Sequence, residues 1–107
     1  MATYANTSYV AKNVGTSAST LTTVSSGTIS ITSLLVANTT SSPITCDVYI
    51  TRSATDYYIV KTATVPVGGS LEVIGGNRVV LIASDALKVV TSAASSADVV
   101  VSVLTAV

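Results

Sequence analysis

The chain has 107 residues, five basic and five acidic side chains and no histidine, so its formal net charge at pH 7 is zero. This balance excludes a protein that binds nucleic acid or an anionic membrane surface through a surplus of lysine and arginine. With no histidine and a single cysteine, the usual general base and the usual transition-metal ligands are missing, and we therefore expect no catalytic residues, no cofactor and no bound metal.

The composition favours an all-β fold. The chain contains 18 valines, 7 isoleucines and 17 threonines, whose β-branched side chains suit a pleated, half-buried surface and are stiff in helices. No apolar run approaches the roughly 18 residues of a membrane helix. The N-terminus has no basic region followed by an apolar stretch, so we expect a protein made in the cytoplasm without a signal peptide.

Residues 1–19 are mostly small and polar, and they predict an N-terminal arm with one weak strand around Tyr9. Residues 20–107 predict a single antiparallel β-sandwich of jelly-roll or immunoglobulin-like type, with about eight strands separated by turn residues. The strands are predicted at 20–24, 28–36, 44–52, 57–64, 70–74, 78–82, 86–92 and 98–104.

Two of these segments carry strong local signals. Residues 44–52 alternate between aliphatic and polar side chains, which indicates a strand with one face in the core. The run Gly75-Gly76-Asn77 between two short apolar segments predicts a tight hairpin that joins 70–74 to 78–82.

The last strand, 98–104, is apolar on both faces. Val99, Val101 and Val103 lie on one face, and the other carries Val100 and Leu104 around Ser102. Such a strand is covered on both sides. The residues alone leave two possibilities for what covers the outer face of this strand: the N-terminal arm of the same chain, or a neighbouring subunit.

The five tyrosines are the only aromatic residues, and three of them flank one predicted hairpin. They fit cross-strand packing, an anchor for a protein interface, or a platform for a sugar ring. Tyr4 and Tyr9 lie in the predicted arm, where they could cross to a neighbour. The candidate interface residues are Tyr49, Tyr57, Tyr58, Val100, Ser102, Leu104, Tyr4 and Tyr9.

No motif predicts an enzyme. Asp56 and Asp85 lie in predicted turns, where aspartate usually bonds local backbone, and Glu72 alternates outward from Leu71 and Val73. No serine precedes a lysine at the spacing of a serine-lysine nucleophile, and the glycine pairs lack the lysine and threonine of a phosphate loop. We therefore expect a non-enzymatic protein.

Several segments of the second half follow one another in a familiar order: Val-Pro-Val-Gly-Gly at 65–69, Leu-Glu-Val-Ile at 71–74, Asp-Ala-Leu-Lys at 85–88 and a valine-rich stretch at 98–104. In this order the sequence, over roughly residues 28–104, resembles small β-sandwich virion proteins of tailed bacteriophages. It departs from them in having Ala83-Ser84-Asp85 where a glycine is common.

The resemblance implies a structural protein of a bacteriophage virion, present in many copies on the capsid as a decoration, cement or head-fibre protein. Alternatives are a tail, neck or baseplate component, or a module that binds a carbohydrate or a host receptor. The implied partners are further copies of the chain and other virion proteins such as the major capsid or tail proteins, with no nucleic acid and no membrane. The implied location is the virion, assembled in the host cytoplasm.

Overall fold

The computed structural model describes residues 4–106, which form nine β-strands. Within that range there is no helix that could span a membrane. The strands are β1 Tyr4–Val14, β2 Ser19–Thr23, β3 Thr28–Asn38, β4 Ile44–Arg52, β5 Thr55–Val65, β6 Ser70–Glu72, β7 Val79–Ile82, β8 Ala86–Thr91 and β9 Ala97–Ala106.

The strands form two antiparallel sheets. Sheet A has the order β1-β9-β3, and both β6 and β7 pair with the far side of β3; sheet B has the order β2-β8-β4-β5. If β6 and β7 are taken as one strand position, the first strand pairs with the last, the second with the last but one, and so on inward. This nested pairing is that of a jelly roll. The predicted β-sandwich is confirmed, and its topology is the jelly roll rather than the immunoglobulin type.

The hydrophobic core fills the space between the two sheets, and strand alternation determines which residues enter it. In β4, Ile44, Cys46 and Val48 are buried, as the alternating pattern predicts. The other fully buried aliphatic side chains come mainly from β3, β8 and β9, and include Ile31, Leu34, Val36, Leu87, Val89, Val99 and Val101.

The predicted hairpin around Gly75 is wrong. β6 pairs with residues 35–37 of β3 and β7 with residues 28–31, both antiparallel, so β6 and β7 run in the same direction along one edge of β3. The glycines, with φ of +58° and +88°, allow a loop that leaves this edge and rejoins it. Ile74 within the loop is buried in the core, which favours this interrupted strand over a reversal.

The N-terminal segment forms more structure than its composition predicts. β1 is an 11-residue strand that pairs with β9 from Tyr4 opposite Ala106 to Val14 opposite Ala97. It extends sheet A sideways as an edge strand and is not an arm that lies over the sheet. The partner is about 90 residues away along the chain, so local composition carried no signal of it.

Candidate interaction surfaces

Sheet A has an outer face that bears apolar side chains in an ordered pattern. Val10, Val100 and Leu35 are directly opposite one another on β1, β9 and β3, and they are 73%, 42% and 39% exposed. We call these three the first apolar group. Directly opposed side chains on neighbouring strands are about 5 Å apart, so the group is contiguous.

Next to the first apolar group lies a row of hydroxyl side chains, which we call the serine row. It consists of Ser8, Ser102 and Ser33, which oppose one another on the same three strands. Beyond it lie Leu104, Val80 and Ile82, of which Val80 and Ile82 are each 45% exposed; we call these three the second apolar group. Ser30 of β3 lies between Leu104 and Val80, and Asn6 of β1 is opposite Leu104, so this group is interrupted by polar side chains.

The charged residues of this face border the first apolar group. Glu72 lies directly opposite Leu35 and forms no ion pair within residues 4–106. The Lys12 ammonium lies 3.2 Å from the Asp98 carboxylate, which also accepts the backbone N–H of Asn13. Glu72 accepts hydrogen bonds from the Ser33 hydroxyl at 2.6 Å and from the backbone N–H of Leu34 at 2.9 Å. The first apolar group and the serine row are therefore bordered on the β6 side by the Glu72 carboxylate, which is held by hydrogen bonds from neutral groups.

This geometry decides between the two covers considered for the last strand. β1 pairs with the edge of β9 and leaves its outer face open, so within residues 4–106 the N-terminal segment does not bury Val100, Ser102 and Leu104. Sequence reasoning missed Val10, Leu35, Val80 and Ile82. Consecutive aliphatic pairs such as Leu34-Leu35 and Val79-Val80 could have indicated these residues. Adjacent strand residues point to opposite faces, so one member of each pair lies on the outer face.

The outer face of sheet B differs in chemistry. Tyr49 and Tyr58 are cross-strand partners with ring centroids 5.0 Å apart, and the Lys61 ammonium lies 4.3 Å from the centre of the Tyr58 ring. Tyr49 is buried beneath these neighbours, and this burial, followed by the nearby Asp56 carboxylate, raises the pKa of its hydroxyl. The pair fits the packing interpretation, and Tyr58 keeps less free ring surface for a sugar.

The remaining candidate tyrosines do not join this pair. Tyr57 opposes Ile50 on the other side of the hairpin and is 56% exposed. Tyr9 opposes Val101 and packs against the core rather than toward a neighbour. The backbone of Tyr4 begins β1, but its side chain lies outside the described residues.

A buried ion pair fastens the β7–β8 turn to the tip of β4. Asp85 is fully buried and accepts two hydrogen bonds from the Arg52 guanidinium, at 2.7 and 2.6 Å, and one from the backbone N–H of Ile82. The Arg52 hydrogen bonds hold the pKa of Asp85 below its usual value despite burial. Arg52, Ile50 and Tyr57 line an open cavity of about 380 Å³, in which the guanidinium is already neutralised by Asp85.

The other carboxylates accept hydrogen bonds from backbone N–H or hydroxyl groups near bulges and turns. Asp47 accepts the N–H of Thr62 at 2.7 Å, where β5 bulges and Thr62 has a φ of +55°. Asp98 does the same for Asn13 at a bulge in β1, and Asp56 accepts the Thr51 hydroxyl. Among residues 4–106, no three histidine, cysteine or acidic side chains are grouped as metal ligands would be.

The thiol of Cys46 lies between the sheets and is 1% exposed. Burial, followed by the neighbouring Asp47 carboxylate, raises its pKa to about 11. The thiolate is the reactive form, so Cys46 is inert while the sandwich is folded.

The sequence matches no family model and no curated protein. In structure, the chain is similar to one from work described as "Bacillus endospore appendages form a novel family of disulfide-linked pili". The TM-score is 0.60 at 15% sequence identity, and the match covers 100% of this chain and 91% of that chain. At this identity the likeness establishes the fold alone.

The predicted role on a bacteriophage capsid, neck or tail is wrong, because the structural match is to a bacterial appendage and not to a virion protein. What remains of that prediction is the β-sandwich fold.

Proposed function

We propose that this protein is a non-enzymatic structural subunit that associates with copies of itself into a multimeric fibre. The observation that carries the proposal is the outer face of sheet A, where five aliphatic side chains are between 39% and 73% exposed. Three of them, Val10, Val100 and Leu35, are contiguous across neighbouring strands, and exposed apolar patches on soluble proteins mark interaction sites when they are large.

Two further features support the proposal. All five carboxylates of the chain already bind backbone N–H groups, hydroxyls or basic side chains that brace the fold, which is the work of structural groups. The structurally similar chain comes from work on appendages that are described as pili.

The manner of assembly differs from that of the similar pilus in one respect. Those pili are disulfide-linked. Here the chain's single thiol, Cys46, is buried with a pKa of about 11 and cannot reach a second copy without opening the sandwich. We therefore expect this chain to assemble through non-covalent contacts.

The test is size-exclusion chromatography with light scattering on the purified chain over a wide concentration range, with negative-stain electron microscopy of the concentrated sample. We expect multimers that grow with concentration and are unchanged by dithiothreitol. A monomer at every concentration would contradict the proposal, and multimers dissolved by dithiothreitol would contradict non-covalent assembly.

A further inference from the structure

Strand β1 forms a free edge of sheet A that is regular over most of its length. Residues 4–11 pair with residues 99–106 of β9 without interruption, and the register shifts only beyond Ala11. At an edge, every second residue directs its backbone N–H and C=O away from the sheet. Within residues 4–106, the only further hydrogen bond to the backbone of this segment runs from the Thr105 hydroxyl to the Ala5 carbonyl oxygen. The segment therefore presents a row of unpaired backbone donors and acceptors.

The other three edges of the sandwich are each broken. The second edge of sheet A is divided between β6 and β7, which have three and four residues. β2 has five residues and a register shift among them. β5 has no regular run longer than four residues, because its pairing with β4 shifts on both sides of Val48, and it carries Asp56 and Lys61. Natural edge strands avoid further pairing through shortness, bulges and charges, and residues 4–11 of β1 have none of these.

This edge is also accessible from both faces of sheet A. Residues 5–8 are all exposed, although adjacent side chains of a strand point to opposite faces. Sheet B approaches β1 at its other end, where Val14 is buried and the Gly15 carbonyl oxygen accepts the backbone N–H of Thr91. A second strand can therefore reach residues 4–11 without meeting sheet B.

We infer that residues 4–11 of β1 pair with the same residues of a second copy of the chain, antiparallel, about a two-fold axis normal to sheet A. This inference rests on the proposed function and names one contact of the assembly. A second copy offers no other described edge with a regular run of this length, so β1 is the partner that satisfies the most backbone groups. The segment carries no charge, so the two copies meet without repulsion. Antiparallel pairing keeps both core faces on one side, and the two copies of sheet A become one continuous sheet.

The register of this pairing follows from its symmetry. The middle of the segment lies between Thr7 and Ser8, and a pairing that keeps each face continuous places one residue opposite its own copy. The axis therefore passes through Thr7 or Ser8. Directly opposite Cα atoms are about 4.5 to 5.5 Å apart in an antiparallel pair, and a disulfide spans about 4.4 to 6.8 Å between Cα atoms. A cysteine on the axis can thus form a disulfide with its own copy.

The pairing has a consequence for assembly. An isologous contact is closed, because each copy uses its β1 edge once. It produces pairs of subunits and leaves the outer face of sheet A open. A fibre therefore requires a further contact elsewhere on the molecule.

The first experiment measures backbone hydrogen exchange in the wild-type chain, at a dilution where it is monomeric and at a concentration where it associates. On association, the outward N–H groups of residues 4–11 become hydrogen-bonded, and we expect their exchange to slow about tenfold or more. Exchange in β5, the free edge of sheet B, is the internal control and is expected to be unchanged.

The second experiment compares Thr7→Lys with Thr64→Lys by sedimentation equilibrium. Both positions are exposed threonines of edge strands, β1 in sheet A and β5 in sheet B, so the two variants introduce the same charge in similar surroundings. We expect Thr7→Lys to weaken the pair about tenfold or more, because it brings two ammonium groups together near the axis. Thr64→Lys is expected to leave the pair unchanged.

The third experiment oxidises Thr7→Cys, Ser8→Cys and, as the control, Thr64→Cys. We expect a disulfide-linked dimer from the variant whose cysteine lies on the axis, which identifies the register, and none from Thr64→Cys. The native thiol of Cys46 is buried and does not interfere. Circular dichroism checks the fold of all the variants.

The outcomes separate this inference from the proposed function. A wild-type chain that is monomeric at every concentration contradicts the proposed function and the inference together. A chain that associates without slower exchange in residues 4–11 overturns the inference and leaves the proposed function standing. The same conclusion follows if Thr7→Lys and Thr64→Lys associate alike, or if neither Thr7→Cys nor Ser8→Cys gives more dimer than Thr64→Cys.

Discussion

The outer faces of the two sheets differ in the kinds of side chain that they expose to water. On sheet B, the exposed surface around Tyr58 carries ammonium and carboxylate groups that are well hydrated. On sheet A, aliphatic and hydroxyl side chains predominate, and the few charged groups at their border are held by the Lys12–Asp98 ion pair and by the hydrogen bond from Ser33 to Glu72. A chain with 9% charged residues can thus keep one face solvated and leave the other suited to burial.

The largest effect is expected at two adjacent leucines of β3, whose side chains lie on opposite faces of sheet A. Leu34 is fully buried and Leu35 is 39% exposed on the outer face of sheet A. We expect Leu34→Ala to lower the free energy of unfolding by about 3 kcal/mol through the cavity it leaves, whereas Leu35→Ala lowers it by less than about 1 kcal/mol.

Urea denaturation at a concentration where the chain is monomeric measures both leucine variants. At higher concentration, Leu35→Ala is expected to weaken self-association. Equal stability losses in the two variants would contradict the assignment of these leucines to opposite faces.

A smaller effect is expected at the ion pair that ties the β7–β8 turn of sheet A's edge to sheet B. Asp85→Asn removes a fully buried carboxylate from Arg52, and because Arg52 is partly exposed we expect a loss of about 2 kcal/mol. Lys12→Ala, at an exposed pair, is the control and is expected to leave the free energy of unfolding nearly unchanged.

The pH dependence of this pair has a definite sign. The pKa of Asp85 is lowered in the fold, first by the Arg52 hydrogen bonds, from an ordinary value of 3.8. Its contribution is therefore present above pH 3.8 and is lost as the pH falls below that value through the folded pKa. Denaturation curves should show the difference between wild type and Asp85→Asn narrowing below pH 3.8; a difference that is constant with pH would contradict the assignment.

The smallest effect is expected on the outer face of sheet B. Tyr58→Ala removes the contact with Tyr49 and the cation–π contact with Lys61, and should lower the free energy of unfolding by about 1 kcal/mol. Because this face is not the proposed contact, self-association measured by light scattering should be unchanged. A loss of association with stability retained would place the contact on sheet B instead.

Local patterns predicted some elements well and others poorly, for identifiable reasons. Strand β4 was predicted well because aliphatic and polar residues alternate along it, and adjacent side chains of a strand point to opposite faces of the sheet. The β4–β5 hairpin turns at Ser53-Ala54, both with positive φ, although the residues that favour such a turn are asparagine and glycine. The glycine pair at 75–76 predicts a tight turn, but it lies in the loop between β6 and β7, which run in the same direction along β3.

The all-β fold class and the low charge could be predicted from the sequence alone. β-Branched side chains favour strands wherever they occur, without regard to distant parts of the chain. The sequence also contained the doubled aliphatic residues of β3, β7 and β9, from which an exposed apolar face follows once strand alternation is applied. Only the tertiary structure decided that Val10, Val100 and Leu35 stand side by side, since they come from strands joined by pairing between distant parts of the chain. Strand pairing over such separations depends on which edges remain free when the sheets form, and no short stretch of residues encodes that.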